Sequence, residues 1–374
     1  LMHKRPKYVL IADDDAQFVE AMSQRFRQLG LEVIPAYNGI EAIRATLKSK
    51  VDLICIDINM PAADGLTVCE ALSQDDEFSS IPLIVLTGCV PAVEAQTYTH
   101  QVFDHVEFLA PITKASFRVE AGTAGSIIDK AVKIAASGRP GPVVLDVPID
   151  VQREVSEAWI KPRHRAEGSM APAGADLATA QGWLAQAKQP IVLAGVDVIS
   201  QRSGDDVAAF CKAHNIPLIT TYKAKGILPE DHALALGGAG LSPISDKILL
   251  PLVAASDCVI LAGYDPIEMR IGWRNPFGAD QHVIDIAAVT NDHYMHQAPL
   301  NFVGDVGASL HALSDCVASR ETWTGGEVAA AKAALRDAFH TDEEWGPAAI
   351  VDEARRACPP GTVATADSGA HRIV

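Results

Sequence analysis

The chain has 374 residues, 48% of them hydrophobic and 21% charged, with a formal net charge of -16, enough for two or three domains, each with its own core. An acidic surface gains nothing from meeting a polyanion, which argues against nonspecific binding to nucleic acid or an anionic membrane and leaves small molecules, metal ions and other proteins as partners. No apolar run approaches the length of a bilayer span and no charged-then-apolar leader opens the chain, so a cytoplasmic protein with no membrane partner is expected.

From residue 8 the pattern alternates strand and helix. "YVLIA" is a continuous apolar strand; Phe18, Met22, Phe26 and Leu29 then recur at helical spacing until Gly30 supplies a stop. "LEVIPA", "VDLICID" and "IPLIVLT" read as further strands, with helices marked by Ile40, Ile43 and Leu47 and by Leu66, Cys69 and Leu72. Strands this apolar, separated by amphipathic helices, predict a parallel sheet covered on both faces. After residue 100 come "ASFRV", a helix over about 123 to 136, and "SGRPGPVVLDVPIDV", in which Pro140, Gly141 and Pro142 form a rigid turn into a strand. Residues 152 to 175 lack periodicity and carry Pro162, Gly168, Pro172 and Gly174, a domain linker. A second series follows, with strands at "PIVLAG", "IPLIT", "CVILAG" and "HVIDI" and a helical connector near 326 to 340. The seven cysteines are scattered and never paired as CxxC; they read as reduced, mostly buried small hydrophobes.

In a doubly wound sheet, ligands sit beyond the carboxyl ends of the strands. Asp13 and Asp14 follow the first strand, Asp57 ends the third and Thr87 ends the fourth. A strand order of 2-1-3-4 would bring these residues into one cleft. Clustered carboxylates repel one another, and a hard cation with oxygen ligands relieves the repulsion, so Mg²⁺ is the expected guest. One carboxylate could then attack a phosphoryl group while the hydroxyl of Thr87 hydrogen-bonds the transferred oxygens. The bland alternative is that "DDD" caps a helix and "ADG" at 63 to 65 is ordinary turn chemistry.

"VLIADDDAQF", "DLICIDINMPAADG" and "IPLIVLTG" resemble the receiver domain of bacterial response regulators over about residues 6 to 88. The resemblance implies Asp57 as phosphoacceptor, Asp13 and Asp14 as the acidic pair holding Mg²⁺ with Asp57 and the backbone carbonyl of Asn59, and Thr87 as the switch hydroxyl. It also implies a histidine kinase or small phosphodonor as partner. A receiver should close on a fifth strand ending in Lys-Pro, whereas this chain has "EFLAPITK", with Ala110 before Pro111 and Lys114 on the wrong side of the proline. Phosphorylation is therefore expected to be slow.

From Thr87 onward the chain resembles the thiamine-diphosphate-dependent enzymes of the acetolactate synthase group, on "HQVFDHVEFLAPITK", "SGRPGPVVLDVPIDV", "PLITTYKAKGILPEDHALALGGAG", "VILAGYDPIEM" and "GTVATADSGAH". This implies action on 2-oxo acids, thiamine diphosphate as cofactor, and a homodimer formed through that part. His100, Gln101 and Lys114 match positions near the cofactor, where packing roles are an equal alternative. Some relatives hold FAD in the central domain and others hold nothing. Gly237, Gly238 and Gly240 open no GxGxxG helix, so FAD is not expected; His293 and His296 lack a third ligand, so no metal is expected there. The family's ring-activating glutamate falls where receiver sequence stands, and its GDG motif would lie beyond Val374. The chain starts with Leu1 before Met2 and stops just after "ATADSGAHRIV" begins a new unit, so a truncated protein that does not bind thiamine diphosphate alone is expected.

The expected fold is α/β with doubly wound parallel sheets: a flavodoxin-like receiver part (residues 1–88) merging into the remainder of a pyrimidine-binding-type domain (89–152), a linker (153–175), a Rossmann-like central domain (176–320) and the opening of a pyrophosphate-binding domain (345–374). Three functions stand open: a receiver-like phosphoacceptor fused to an incomplete thiamine enzyme, a truncated carboligase or decarboxylase, and an artificial join with no function of its own.

Overall fold

A computed structural model describes residues 7–73, 81–91, 93–94, 97, 104–153, 170–266, 269–339, 345–359 and 362. The chain divides into two compact units, residues 1–167 and 168–374. Most of the expected linker lies outside the described residues, as do 360–361 and 363–374 of the expected opening of a pyrophosphate-binding domain, whose described part holds a helix, Pro347–Ala357.

In the first unit the strands are β1 (Tyr8–Ala12), β2 (Glu32–Ala36), β3 (Leu53–Asp57), β4 (Leu83–Cys89), β5 (Ala115–Arg118) and β6 (Val143–Pro148). They form one parallel sheet in the order β2-β1-β3-β4-β6-β5, so the expected order 2-1-3-4 is present and the sheet runs unbroken past it. Alternate residues of each strand serve opposite faces. Leu10, Ile54, Ile56, Val85 and Val144 share one core with Ala42 of α2 (Gly39–Lys48) and Val68 of α3 (Gly65–Ser73). On the other face Val9, Ile11 and Cys55 meet Val19, Met22 and Phe26 of α1 (Ala16–Gln28), while Ile84, Val143 and Leu145 meet Ala131 and Ala135 of the helix Ala124–Ala136. A short helix, His105–Leu109, precedes β5. The Asp15 side chain starts α1 by accepting the N–H groups of Gln17 and Phe18, and Gly30, at φ +79°, follows its end.

The second unit repeats the plan with β7 (Pro190–Ala194), β8 (Leu218–Thr221), β9 (Ala235–Ala239), β10 (Cys258–Ala262), β11 (His282–Ala287) and β12 (Leu300–Val303), all parallel in the order β12-β11-β10-β7-β8-β9. Val192, Ile260 and Ile284 face one core, and Ile191, Val259 and Val283 the other, which also holds the fully buried Trp273. The direction in which successive strands are added reverses between β7 and β10, the place where such sheets open a ligand crevice. Here the two strand exits meet backbone to backbone. A Cβ on Gly195 would lie 2.5 Å from the Gly263 carbonyl oxygen, and Gly263 itself has φ +60°. Of the glycines singled out in "LGGAG", two serve contacts within the chain: a Cβ on Gly240, at φ +93°, would meet Met269, and one on Gly238 would meet Lys225, whereas one on Gly237, at φ +78°, would meet nothing within 4 Å. Both units are parallel α/β sheets, and among the described residues no helix is long and apolar enough to cross a membrane.

Candidate functional site

Three parallel strands of the first unit end side by side at one edge of the sheet. Asp13 and Asp14 leave β1, Asp57 is the last residue of β3, and Thr87 lies near the end of β4, one residue past Leu86, the register partner of Asp57. Each side chain is held by its own turn. The Asp13 N–H donates to the carbonyl of Ala36 at 3.2 Å, and its carboxylate accepts the Asp15 N–H at 2.8 Å. The Asp57 carboxylate accepts the N–H of Asn59 at 2.8 Å. Gly65 lets the "NMPAADG" loop fold back on β3: a Cβ there would lie 2.2 Å from the Asp57 carbonyl oxygen, and the Gly65 N–H donates to Ile58 at 2.8 Å. Gly65 thus serves a close backbone approach rather than turn chemistry; the positive φ of that loop, +67°, falls on Ala62.

The charges feel one another. Burial pushes the Asp13 carboxyl up to about 6, and the charges of Asp57, Asp14 and Asp15 push the same way against the Asp15 N–H bond. Burial also raises Asp57, partly offset by the N–H groups of Asn59 and Ile58 and reinforced by the charge of Asp14. Carboxyls raised by burial and mutual repulsion are a donor set that a hard divalent cation fits. Among the described residues no three His, Cys, Asp or Glu side chains form a ready-made metal cage.

The neighbour of β4 on its far side is β6, not β5. Thr87 pairs in register with Asp146, and Asp146 with Arg118 of β5. Asp146 is 3% exposed. One of its oxygens lies 2.9 Å from Nδ1 of the buried His105, and the other 3.9 Å from Nε of Arg118. Arg118 reaches across β6 to β4, where Nη2 donates to Cys89 Sγ at 3.1 Å and to the Val90 carbonyl at 3.2 Å. Sequence reasoning missed this group. The signal was the aspartate inside the apolar "VVLDVP", since a charge in a buried strand needs partners.

The remaining candidates lie elsewhere. Lys114 sits at the opposite edge of the sheet, where its amine donates to the carbonyls of Ile134 and Ser137 at 2.7 and 2.5 Å, and burial lowers its pKa. Committed to the end of a helix, it does not fit as a ligand for thiamine diphosphate. His100 and Gln101 lie outside the described residues. In the second unit His296 is 2% exposed, with Nε2 at 3.0 Å from Asp285 and 3.1 Å from Asn291. Among the described residues the cysteines are free, five buried, with Cys316 and Cys358 exposed.

Comparison with known proteins finds two families along the chain. Residues 9–107 match the family described as response regulator receiver domain, and residues 177–313 match thiamine pyrophosphate enzyme, central domain. The acetolactate synthase large subunit of Parasynechococcus marenigrum (strain WH8102) is 33% identical over 308 residues, covering 78% of this chain and 46% of that protein. Acetolactate synthase isozyme 1 large subunit of Escherichia coli (strain K12) is 31% identical over 236 residues, 62% of this chain and 41% of that protein. A probable acetolactate synthase large subunit of Methanocaldococcus jannaschii is 28% identical over 291 residues, with shares of 72% and 47%. The chain spans about half the length of the curated relatives it matches. It joins a response regulator receiver domain to the central domain of thiamine pyrophosphate enzymes, with acetolactate synthase large subunits as relatives.

Proposed function

We propose that this receiver-bearing chain is a Mg²⁺-dependent phosphoacceptor, taking a phosphoryl group on Asp57 from a histidine kinase or a small acyl phosphate, and that its thiamine-enzyme part is catalytically incomplete by itself. The observation that carries the first half is the convergence of Asp13, Asp14, Asp57 and Thr87 at the ends of three neighbouring strands, with Asp13 and Asp57 raised by burial and by nearby carboxylates. Asp13, Asp14, Asp57 and the Asn59 carbonyl would hold the metal, with waters completing its shell. The ion would neutralise charge on the transferring phosphoryl group. Asp57 must be ionised to attack, and the Asn59 N–H bond favours that form. Thr87, 6% exposed at the edge of β4, offers a hydroxyl to the transferred oxygens.

The test is the intact mass after incubation with acetyl phosphate and Mg²⁺, beside Asp57→Asn. One added phosphoryl group on the parent and none on the variant is expected. No gain on either protein would remove the reading.

A second reading, a carboligase or decarboxylase of 2-oxo acids acting as a homodimer with thiamine diphosphate, is favoured by the extent of the likeness to acetolactate synthases, 72% to 83% of this chain in four of the relatives. Receiver sequence stands where the resemblance puts the ring-activating glutamate, and Lys114 is bound to a helix end. No turnover by the pure chain is therefore expected, and consumption of pyruvate with added thiamine diphosphate and Mg²⁺ would restore this reading.

A further inference from the structure

A receiver needs a cation beside its switch hydroxyl to meet the charge of the arriving phosphoryl group. The strand beside β4 carries Asp146 opposite Thr87 instead, and ends "DVP". A buried carboxylate there repels a phosphoryl group unless a cation covers it. The Cys89 thiol lies against this carboxylate, and two basic side chains reach it, which differ. His105 holds one oxygen at 2.9 Å and is itself buried. Arg118 stands 3.9 Å from the other oxygen, beyond hydrogen-bond length, and its side chain is 45% exposed. Its guanidinium passes over β6 and lands on Cys89, the last residue of β4, and on Val90 just after it. Thr87, Asp146 and Arg118 occupy one rung of three adjacent parallel strands, at the end of the sheet where β3 ends in Asp57.

We infer that Arg118 is the phosphoryl-binding cation of this site, supplied from the edge strand in place of a lysine on the strand beside β4; the inference rests on the phosphoacceptor reading above. In the transfer, an Asp57 oxygen forms a bond to phosphorus as the bond from phosphorus to the acetyl oxygen breaks, and acetate leaves with the electron pair. No proton, oxidant or reductant is needed. The negative charge of the Asp57 carboxylate is replaced by that of acetate, while the phosphoryl oxygens remain charged at the acceptor. A guanidinium suits those oxygens because it presents paired donors in a plane. Of its present partners, a thiol sulfur and one carbonyl are weak competitors for it, and the Asp146 carboxylate stands 3.9 Å away.

The experiment compares the parent with Arg118→Ala, Arg118→Lys and the double variant Arg118→Ala/Asp146→Asn, following phosphorylation of Asp57 by intact mass at saturating acetyl phosphate and varied Mg²⁺. The double variant removes the buried carboxylate together with its covering cation, so it keeps the test open if the single alanine variant does not fold. Expected are a loss of at least ten-fold in the maximal rate for both alanine-bearing variants, most of the rate kept by Arg118→Lys, and an unchanged half-saturating Mg²⁺ concentration in all. A parent that gains phosphate while the folded alanine-bearing variants gain it equally fast overturns the role of Arg118 and leaves the phosphoacceptor reading standing. A shifted Mg²⁺ requirement with an unchanged maximal rate overturns it as well, by placing Arg118 in support of the metal. A parent that gains no phosphate defeats the underlying reading, and this inference with it.

Discussion

Replacing Asp13 with Asn should stabilise the first unit, and the gain should grow with pH. The Asp13 carboxyl titrates near 3.8 when unfolded and at about 6 when folded, mainly because burial disfavours its charge. A carboxyl raised on folding contributes stability that is complete below its unfolded pKa and lost as pH rises through the folded one. The difference corresponds to about 3 kcal/mol lost at pH 8, roughly half of it already gone at pH 5. Asn keeps an oxygen for the Asp15 N–H and carries no charge. Partial solvent exposure of Asp13 discounts the figure. The variant should therefore exceed the parent by about 2 kcal/mol at pH 8 in chelator, shrinking by about 1 kcal/mol at pH 5. The described tryptophans, Trp183, Trp273, Trp323 and Trp345, all lie in the second unit. The assay is thus amide hydrogen exchange of β1 and β3, read as a variant-to-parent ratio at each pH, with about 30-fold slower exchange expected at pH 8. Saturating Mg²⁺ should narrow the gap by relieving the same repulsion. A gain independent of pH, or a less stable variant at pH 8, would refute the argument that burial and neighbouring charge set this carboxyl.

Gly65→Ala should cost about 1–3 kcal/mol, because the Asp57 carbonyl 2.2 Å from the new Cβ belongs to rigid backbone; faster exchange of β3 and slower phosphorylation at Asp57 would report it. Gly195→Ala should lower the stability of the second unit by a similar amount, since its Cβ would meet the Gly263 carbonyl at 2.5 Å, and tryptophan fluorescence in urea would measure it. Thiol labelling of the native protein at pH 8 should modify Cys316 and Cys358 quickly and the other five cysteines only on unfolding, because Cys55, Cys69, Cys211 and Cys258 are pushed up to about 12 and Cys89 to about 11. A third fast thiol would contradict the buried placement of one of them.

The first four strands were legible because β1, β3 and β4 are apolar runs with a polar residue at or just beyond their end, and β2 is a short strand between two helical patterns. Their helices declared themselves by spacing and by capping, as Asp15 does for α1. The identity of the fifth strand was not legible in the same way. "ASFR" precedes "VVLDVP" in sequence yet lies outside it in space. Composition held the clue: β6 is buried along almost its whole length, while β5 is half-buried with an exposed end, as an edge strand is. Reading that difference would have brought Asp146 and Arg118 to the candidate site. In the second unit β9 and β12 escaped notice because "ALGGA" is glycine-rich and "LNFV" is short, so neither carries a strong strand signal. The raised pKa of Asp13 could not be read from the sequence at all, since it depends on how deeply the turn after β1 is covered.

The pairing of β4 with β6 has a consequence for how the protein is made. One side of β4 can pair as soon as it leaves the ribosome, because β3 already exists. The other side must wait until β5, the helix after it and β6 have been synthesised. Through that interval an apolar strand presents an unsatisfied hydrogen-bonding edge, the kind of surface that pairs with other nascent chains. The same strand that unites the two halves of the sheet is therefore a point at which synthesis leaves the first unit open to aggregation.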